Sequence, residues 1–364
     1  MVVPFMSMYL TQHVGVSIGK AGLVMSMFGI GAIIGALIGG KLTDKLGYYS
    51  VQISALLAGG IMFIILGRLH SYTAICAGTF LLALVNESFR PANSVAVAHY
   101  SKEENRTRSY SLNRLAINLG WGIGGGLGGL IASYDYQLLF WVDGLTNIGA
   151  AILLYLVLSP SRNVSTRVVP PSKGIKIDSA YNDKTYLVFI VMVFLFAMCF
   201  FQLFTTVPVF YKEIFHLPVF FIGLVMAMNG LIISLFEMIT IFKLEGRRPL
   251  LHFISAGVVL VGISYLLLTV KGMSLELLVI CSMILLTIGE ILSMPFMNSF
   301  WISRTRHQNR GQYAALFTVA WASAQAAGPL IGALIAENFG YNILWIIIGS
   351  VCIVLAVLYR RLRS

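Results

Sequence analysis

Apolar runs of about 20 residues recur along the whole chain, each long enough to cross a hydrocarbon core about 30 Å thick as a helix. They fall near residues 20–40, 50–68, 72–97, 109–132, 138–159, 185–210, 218–242, 250–270, 274–303, 311–336 and 340–359, with a short one near 1–14. A transmembrane barrel would instead need alternating polarity over segments of about 10 residues, and that pattern is absent. The 364 residues are 58% hydrophobic and only 11% charged, where a soluble domain carries about 25% charged residues. The chain reads as an all-α membrane protein with twelve transmembrane helices.

Its formal net charge of +11 does not point to nucleic acid, because the basic residues sit in short loops and do not gather on one face. Assigning alternate loops to one side places nineteen of the 25 Lys and Arg together, among them Lys41, Lys45, Lys102, Arg106, Lys243, Arg304 and Arg360. The rule that positive loops stay inside puts that side in the cytoplasm. A cytoplasmic (inner) membrane location follows, with the C-terminus on the cytoplasmic side. Cys76, Cys199, Cys281 and Cys352 all lie in apolar runs without metal or redox spacing and read as buried small hydrophobes. No separate cleavable signal peptide is expected.

The chain is also written twice. GLVMSMFG at 22–29 returns as GLVMAMNG at 223–230, an offset of 201. Further on the offset becomes 204: Pro91 matches Pro295, Gly124 matches Gly328, Gly128 matches Gly332 and Trp141 matches Trp345. LIA at 130–132 repeats at 334–336. Two six-helix halves, 1–159 and 185–364, are therefore expected, joined by a polar cytoplasmic linker over 160–184 whose Pro, Ser and Lys suit a loop. The repeat also makes the first helix look truncated: VVP at 2–4 matches TVP at 206–208, yet only three residues precede Pro4. A short helix lying in the interface is the alternative. Parallel six-helix repeats about an axis along the membrane normal, with a substrate site at their junction, are one way secondary transporters are built.

At this point the residues resemble the major facilitator superfamily. GGKLTDKLGYY after helix two is similar to the family's loop motif at Gly40, Asp44, Lys45 and Gly47, while Tyr48 or Tyr49 stands where the last basic residue belongs. The second half keeps only Glu245 at the acid position. The resemblance implies that this loop latches the cytoplasmic side, its acid facing the start of helix eleven; an ordinary polar turn with an Asp cap is the alternative. NLGWGIGGGLGGLIA at 118–132 resembles the helix-five signature of the antiporter branch at Gly120, Gly124, Gly128 and Gly129, with Gly125 in place of its proline. The copy AGPLIGALIA keeps Gly328-Pro329. Glycines four apart let helices approach backbone to backbone, so these six residues are expected to pack helices, with or without an antiporter seal. Gly120, Gly122 and Gly125 also fit a dinucleotide pattern, which is set aside because no strand precedes them.

An ionisable side chain within a span costs roughly 2.5–3.5 kcal/mol on insertion scales, so those that persist usually line a pathway. Glu87 and Arg90 are three apart on helix four and share a face. Arg114 lies at a similar depth of about 12 Å on helix five, so a cluster of Glu87 with both guanidiniums is expected. It would be either a coupling site or a static bridge. Glu290, near mid-span in the second half, is the proton-site candidate there, or else it bonds a neighbouring helix. Asp143 and Glu237, nearer span ends, are read as structural. Asn86, Asn113, Asn118, Gln202, Asn229, Trp321 and Gln325 either line a cavity or join helices.

The resulting expectation is a monomeric secondary transporter working by alternating access, exporting small lipophilic or amphipathic molecules against protons. The aromatic content of 12% and the 15 Met suit a pocket for varied apolar ligands. Two rivals are a proton symporter or facilitator taking up a sugar, peptide or organic anion, and a non-transporting receptor on the same fold. An enzyme would need a motif such as H-E-x-x-H or G-x-S-x-G, and the six His are scattered. No catalytic residue, cofactor or metal is expected; the partners are a small-molecule substrate, protons and the lipid bilayer.

Overall fold

The computed structural model describes residues 1–101, 106–158, 180–244, 246–305 and 310–362, and the regular structure in them is helical throughout. In chain order the helices are α1 (Val2–Met8), α2 (Ile18–Leu46), α3 (Tyr48–Leu66), α4 (Tyr72–Glu87), α5 (Phe89–Tyr100), α6 (Arg106–Tyr134) and α7 (Tyr136–Val157). They continue with α8 (Lys184–Phe200), α9 (Gln202–Glu213), α10 (Val219–Leu244), α11 (Leu250–Leu267), α12 (Leu275–Ser303), α13 (Arg310–Phe339) and α14 (Tyr341–Arg361). Taken as membrane spans, α4 with α5 and α8 with α9 each form one crossing, and among the described residues 11 helical stretches are long and apolar enough to cross a bilayer. The short α1 runs into a single π-turn over Tyr9–His13. Most of the expected 160–184 linker, and Glu245, lie outside the described residues.

Local chemistry sets the helix ends. Ser17, Ser71, Asp135 and Asp183 cap α2, α4, α7 and α8, each side chain accepting a hydrogen bond from an amide of the first turn. Gly47 ends α2 at φ 83°, a left-handed value that a residue with a side chain resists. The outward faces stay apolar: Leu37, Leu156 and Phe242 are 66%, 73% and 87% exposed. In water such a surface would aggregate, whereas in lipid it is the natural exterior.

Close approach between helices is written in glycines. On α2, Gly31, Gly35 and Gly39 fall every fourth residue, where an added Cβ would meet Phe80 O, Leu84 O and Ser88 Cα at 2.3, 2.2 and 2.5 Å. That stripe seats α2 against α4 and the start of α5. Gly60 and Gly144 bring α3 onto α7, and their duplicates bring α11 onto α14 through Gly262 and Gly349.

The repeated octets make the two seams between the halves. Gly22 and Gly29 abut Ala333 and Ala326 of α13, while Gly223 and Gly230 abut Gly129 and Gly122 of α6. The same words thus perform the same task in each half, pairing α2 with α13 and α10 with α6. Both sets of contacts lie towards the ends of the helices away from the basic loops.

Candidate functional site

Between the halves lies a cavity of about 420 Å³. Its wall draws Arg90, Asn118 and Trp121 from the first half and Asn229, Glu290, Trp321 and Gln325 from the second, with Phe200, Phe201 and Phe204 beside them. The aromatic rings interlock: Trp121 lies 5.3 Å from Phe204, and Trp321 lies 6.0 and 5.9 Å from Phe200 and Phe201, centroid to centroid. Tilted and edge-on pairs of this kind hold an apolar wall in place. Gln202, by contrast, is used within the second half, its amide donating to Gly328 O at 2.8 Å.

Glu290 is the carboxylate of this wall. It stands near the middle of α12, and Asn229 of α10 donates to it at 3.3 Å while also reaching Thr287 at 3.0 Å. No Lys, Arg or His is ion-paired with Glu290 among the described residues. A single amide partner holds the group in place and leaves its charge open to a proton or a ligand.

The expected cluster of Glu87 with two guanidiniums divides into two pairs. Arg90 Nε meets Glu87 Oε2 at 2.8 Å, with the Arg90 side chain 72% exposed at the cavity. Arg114 instead crosses the junction and pairs with Glu237 of α10, to which Asn118 also donates at 3.5 Å. Similar depth on successive helices did not make them face each other: the glycines of α6 draw that helix onto α10, and Arg114 follows its own face. Glu237 is thereby buried, at 5% exposure, and it bridges the two halves. Asp143 is buried in α7 and accepts the Val2 amide at 2.7 Å.

The motif glycines also separate. Gly128 and Gly129 are packed against Phe5 and Gly223, whereas among the described residues a Cβ added at Gly124 would meet Met1 at 3.8 Å and one at Gly120 would meet nothing within 4 Å, so Gly120 makes no close helix approach here. Gly120 and Gly124 border a smaller cavity of about 300 Å³ with Asn86, Asp143 and Asn147. Gly328 faces Met198, and the Pro329 carbonyl approaches Gly22. At the basic end Gly40 is open, and Asp44 and Lys45 are exposed. No ion pair or hydrogen bond of the Asp44 side chain is found among the described residues.

The contacts between halves therefore have a direction. They run from the end away from the basic loops down to Gly29 against Ala326 on one seam and Arg114 against Glu237 on the other. Among the described residues α5 packs on α2, α3, α4 and α6 of its own half. The cavity is closed at the end away from the basic loops. One contact at the closed end was not foreseen from sequence: Glu337 of α13 accepts the Gly19 amide of α2 at 2.7 Å. Among the described residues no group of three or more His, Cys, Asp or Glu is gathered to hold a metal.

Comparison with known proteins agrees with this architecture. The family described as the Major Facilitator Superfamily matches residues 1–329 and 246–364. The chain is similar to a Na(+), Li(+), K(+)/H(+) antiporter of Planococcus maritimus, 24% identical, covering 99% of this chain and 91% of that protein. It is also similar to the multidrug resistance protein MdtH of Salmonella arizonae, 23% identical over 88% of this chain and 76% of that one. Among solved structures, the nucleoside transporter NupG superposes with a TM-score of 0.78 at 16% identity over 99% of this chain and 94% of the other. A POT family transporter in complex with 5-aminolevulinic acid gives 0.79 at 17% identity over 98% and 90%. At these identities the structural likenesses establish the fold.

Proposed function

The chain belongs to the Major Facilitator Superfamily of transporters, and on that premise we propose that it exports small lipophilic or amphipathic molecules across a cytoplasmic membrane in exchange for protons. The observation carrying this reading is the cavity shared by both halves, closed at one end, whose aromatic wall holds one carboxylate, Glu290, met by a neutral amide. With the basic loops in the cytoplasm, the cavity faces inward, and the halves rock to expose it to the other side. Glu290 loads and releases the proton, Asn229 holds the carboxylate in place, and Trp121, Phe204 and Trp321 receive the apolar body of the substrate. The two relatives named as a cation/proton antiporter and a multidrug resistance protein support proton exchange and export. The protein acts as a monomer, since each copy carries both halves of its cavity.

Arg90 supports a second reading. Its guanidinium is 72% exposed at the cavity even while bound to Glu87, so it offers a fork for a carboxylate or phosphate, as an uptake symporter for an organic anion would need. Purified protein in vesicles with an imposed pH gradient separates the two. Export predicts that adding apolar substrates from a chemical panel drives protons in the opposite direction. Uptake predicts that anionic substrates accumulate on the side to which protons flow. Saturable binding with zero flux under every gradient would leave a receptor.

A further inference from the structure

The Gly19 to Glu337 contact ties the halves together at the closed end, and the local sequence is built around it. Ser17 is the N-cap of α2, and its hydroxyl takes the Lys20 amide at 3.4 Å, which leaves the Gly19 amide pointing outward. Glu337 Oε2 accepts that amide at 2.7 Å. A Cβ at position 19 would lie 2.0 Å from the same oxygen, so the glycine is the space in which the carboxylate sits. The first turn of α2 carries no acid of its own, and the carboxylate that complements its unpaired amides arrives from the other half.

Helices α2 and α13 lie side by side and run in opposite directions, so the end of α13 sits at the start of α2. We propose that Glu337 is a state-setting latch: its charge holds the start of α2 while the non-basic end is shut, and it lets go when the halves rock the other way. The residue is a positioning residue for the transport cycle and touches no substrate. Glu337 and Asp44 both stand two residues before the last residue of their helices. Glu337 is engaged with the opposite helix start, whereas Asp44 is exposed at the basic end. One seam thus carries an acid at each of its ends, and among the described residues the acid at the shut end is the one engaged across it. On the second seam the position in α6 that corresponds to Glu337 is Ser133, whose hydroxyl, among the described residues, bonds its own helix at Leu130 O. The latch acts on α2 alone.

The inference rests on the alternating-access reading and needs no knowledge of the substrate. Spin labels at His70 and Lys271, in loops of opposite halves at the non-basic end, report its opening as a distance distribution in full-length protein in lipid. Glu337→Gln keeps an acceptor and removes the charge, and it should raise the ratio of long to short distances about two- to fivefold, the effect of one charge at a helix start. Glu337→Ala should raise it at least as far. Glu213→Gln, an exposed carboxylate at the same end that bonds Tyr341 within its own half, should leave it unchanged. A shift in Glu337→Ala with none in Glu337→Gln would overturn the role of charge. Two populated distances in the wild type with unchanged proportions in both variants would remove the latch and leave alternating access standing. One short distance throughout would remove both.

Discussion

Gly129 and Gly223 meet backbone to backbone: a Cβ built on either would lie 2.5 Å from the Cα of the other. The contact exists only because both residues lack a side chain, and it lies in the seam that closes one end of the cavity. Gly223→Ala should therefore penalise the closed arrangement specifically. Overpacking a tight contact costs about 1–3 kcal/mol, and the arrangement in which the α6–α10 seam parts is spared that cost. The expected result is a population moved towards opening at the non-basic end, read by the same inter-half distances, with flux reduced. Gly120→Ala is the control: position 120 has open space around it, and the substitution should change neither.

The Arg114 to Glu237 pair predicts an asymmetry. The Glu237 side chain is 7% exposed and that of Arg114 45%. Removing the arginine strands a buried carboxylate, whereas removing the acid leaves a guanidinium that water already reaches. Arg114→Gln should lower stability by about 1–3 kcal/mol or more and Glu237→Gln by clearly less. The double variant should recover part of the loss. Thermal unfolding of the purified proteins in detergent measures all three, and equal losses for the two single variants would contradict the assigned burial.

These cases show what a linear reading can and cannot deliver. The repeated octets are legible as a duplication because Gly22, Gly29, Gly223 and Gly230 keep one register, and register survives in sequence. Their partners, Ala333, Ala326, Gly129 and Gly122, were not legible, because they lie on helices far away in the chain. Depth was also readable: Arg90, Arg114 and Glu290 were located along their helices by counting residues at 1.5 Å each. Azimuth is not: depth alone sets Arg114 beside Glu87, whereas its face of α6 meets α10. Distance from a span end is likewise blind to the burial that close glycine packing produces at Glu237. Glu337 is not legible in sequence, because an acid near a helix end is ordinary on its own and its partner, the amide at Gly19, lies 318 residues earlier.

The cavity carboxylate gives a functional prediction. Glu290→Gln preserves shape and the bond to Asn229 but cannot exchange a proton, so substrate-driven proton movement should vanish while substrate binding persists. Asn229→Ala leaves the carboxylate and removes the amide that holds it. Coupled flux should then survive with an altered pH profile. Flux through proteoliposomes, recorded with an internal pH dye across a series of pH values, distinguishes the two variants. Full coupling in Glu290→Gln would assign the proton to another group.

At the basic end Asp183 gathers the second half into one cluster. Arg304 grips its two oxygens from Nε and Nη2 at 2.9 and 3.0 Å, Tyr313 donates at 3.0 Å, and the Tyr186 amide donates at 3.0 Å. Burial alone would push the carboxyl up, but the Arg304 bonds, the Tyr186 amide, the Tyr313 hydroxyl and the Arg304 charge together hold it below its ordinary value of 3.8. A carboxyl with a depressed folded-state pKa contributes stability that is complete above its unfolded pKa and is lost as pH falls through the folded value. The cluster should therefore hold at neutral pH and fail only in acid, below the range where ordinary carboxylates have already titrated. Asp183→Asn keeps an N-cap residue and loses the charge, each charged hydrogen bond contributing about 1.5–3 kcal/mol. Its melting temperature should be lower at pH 7, and the acid limb of its stability curve should be flatter than that of the wild type. Parallel curves for the two proteins from pH 7 into acid would show that Asp183 is protonated alike in folded and unfolded chains, and the fork with Arg304 would then contribute nothing through its charge.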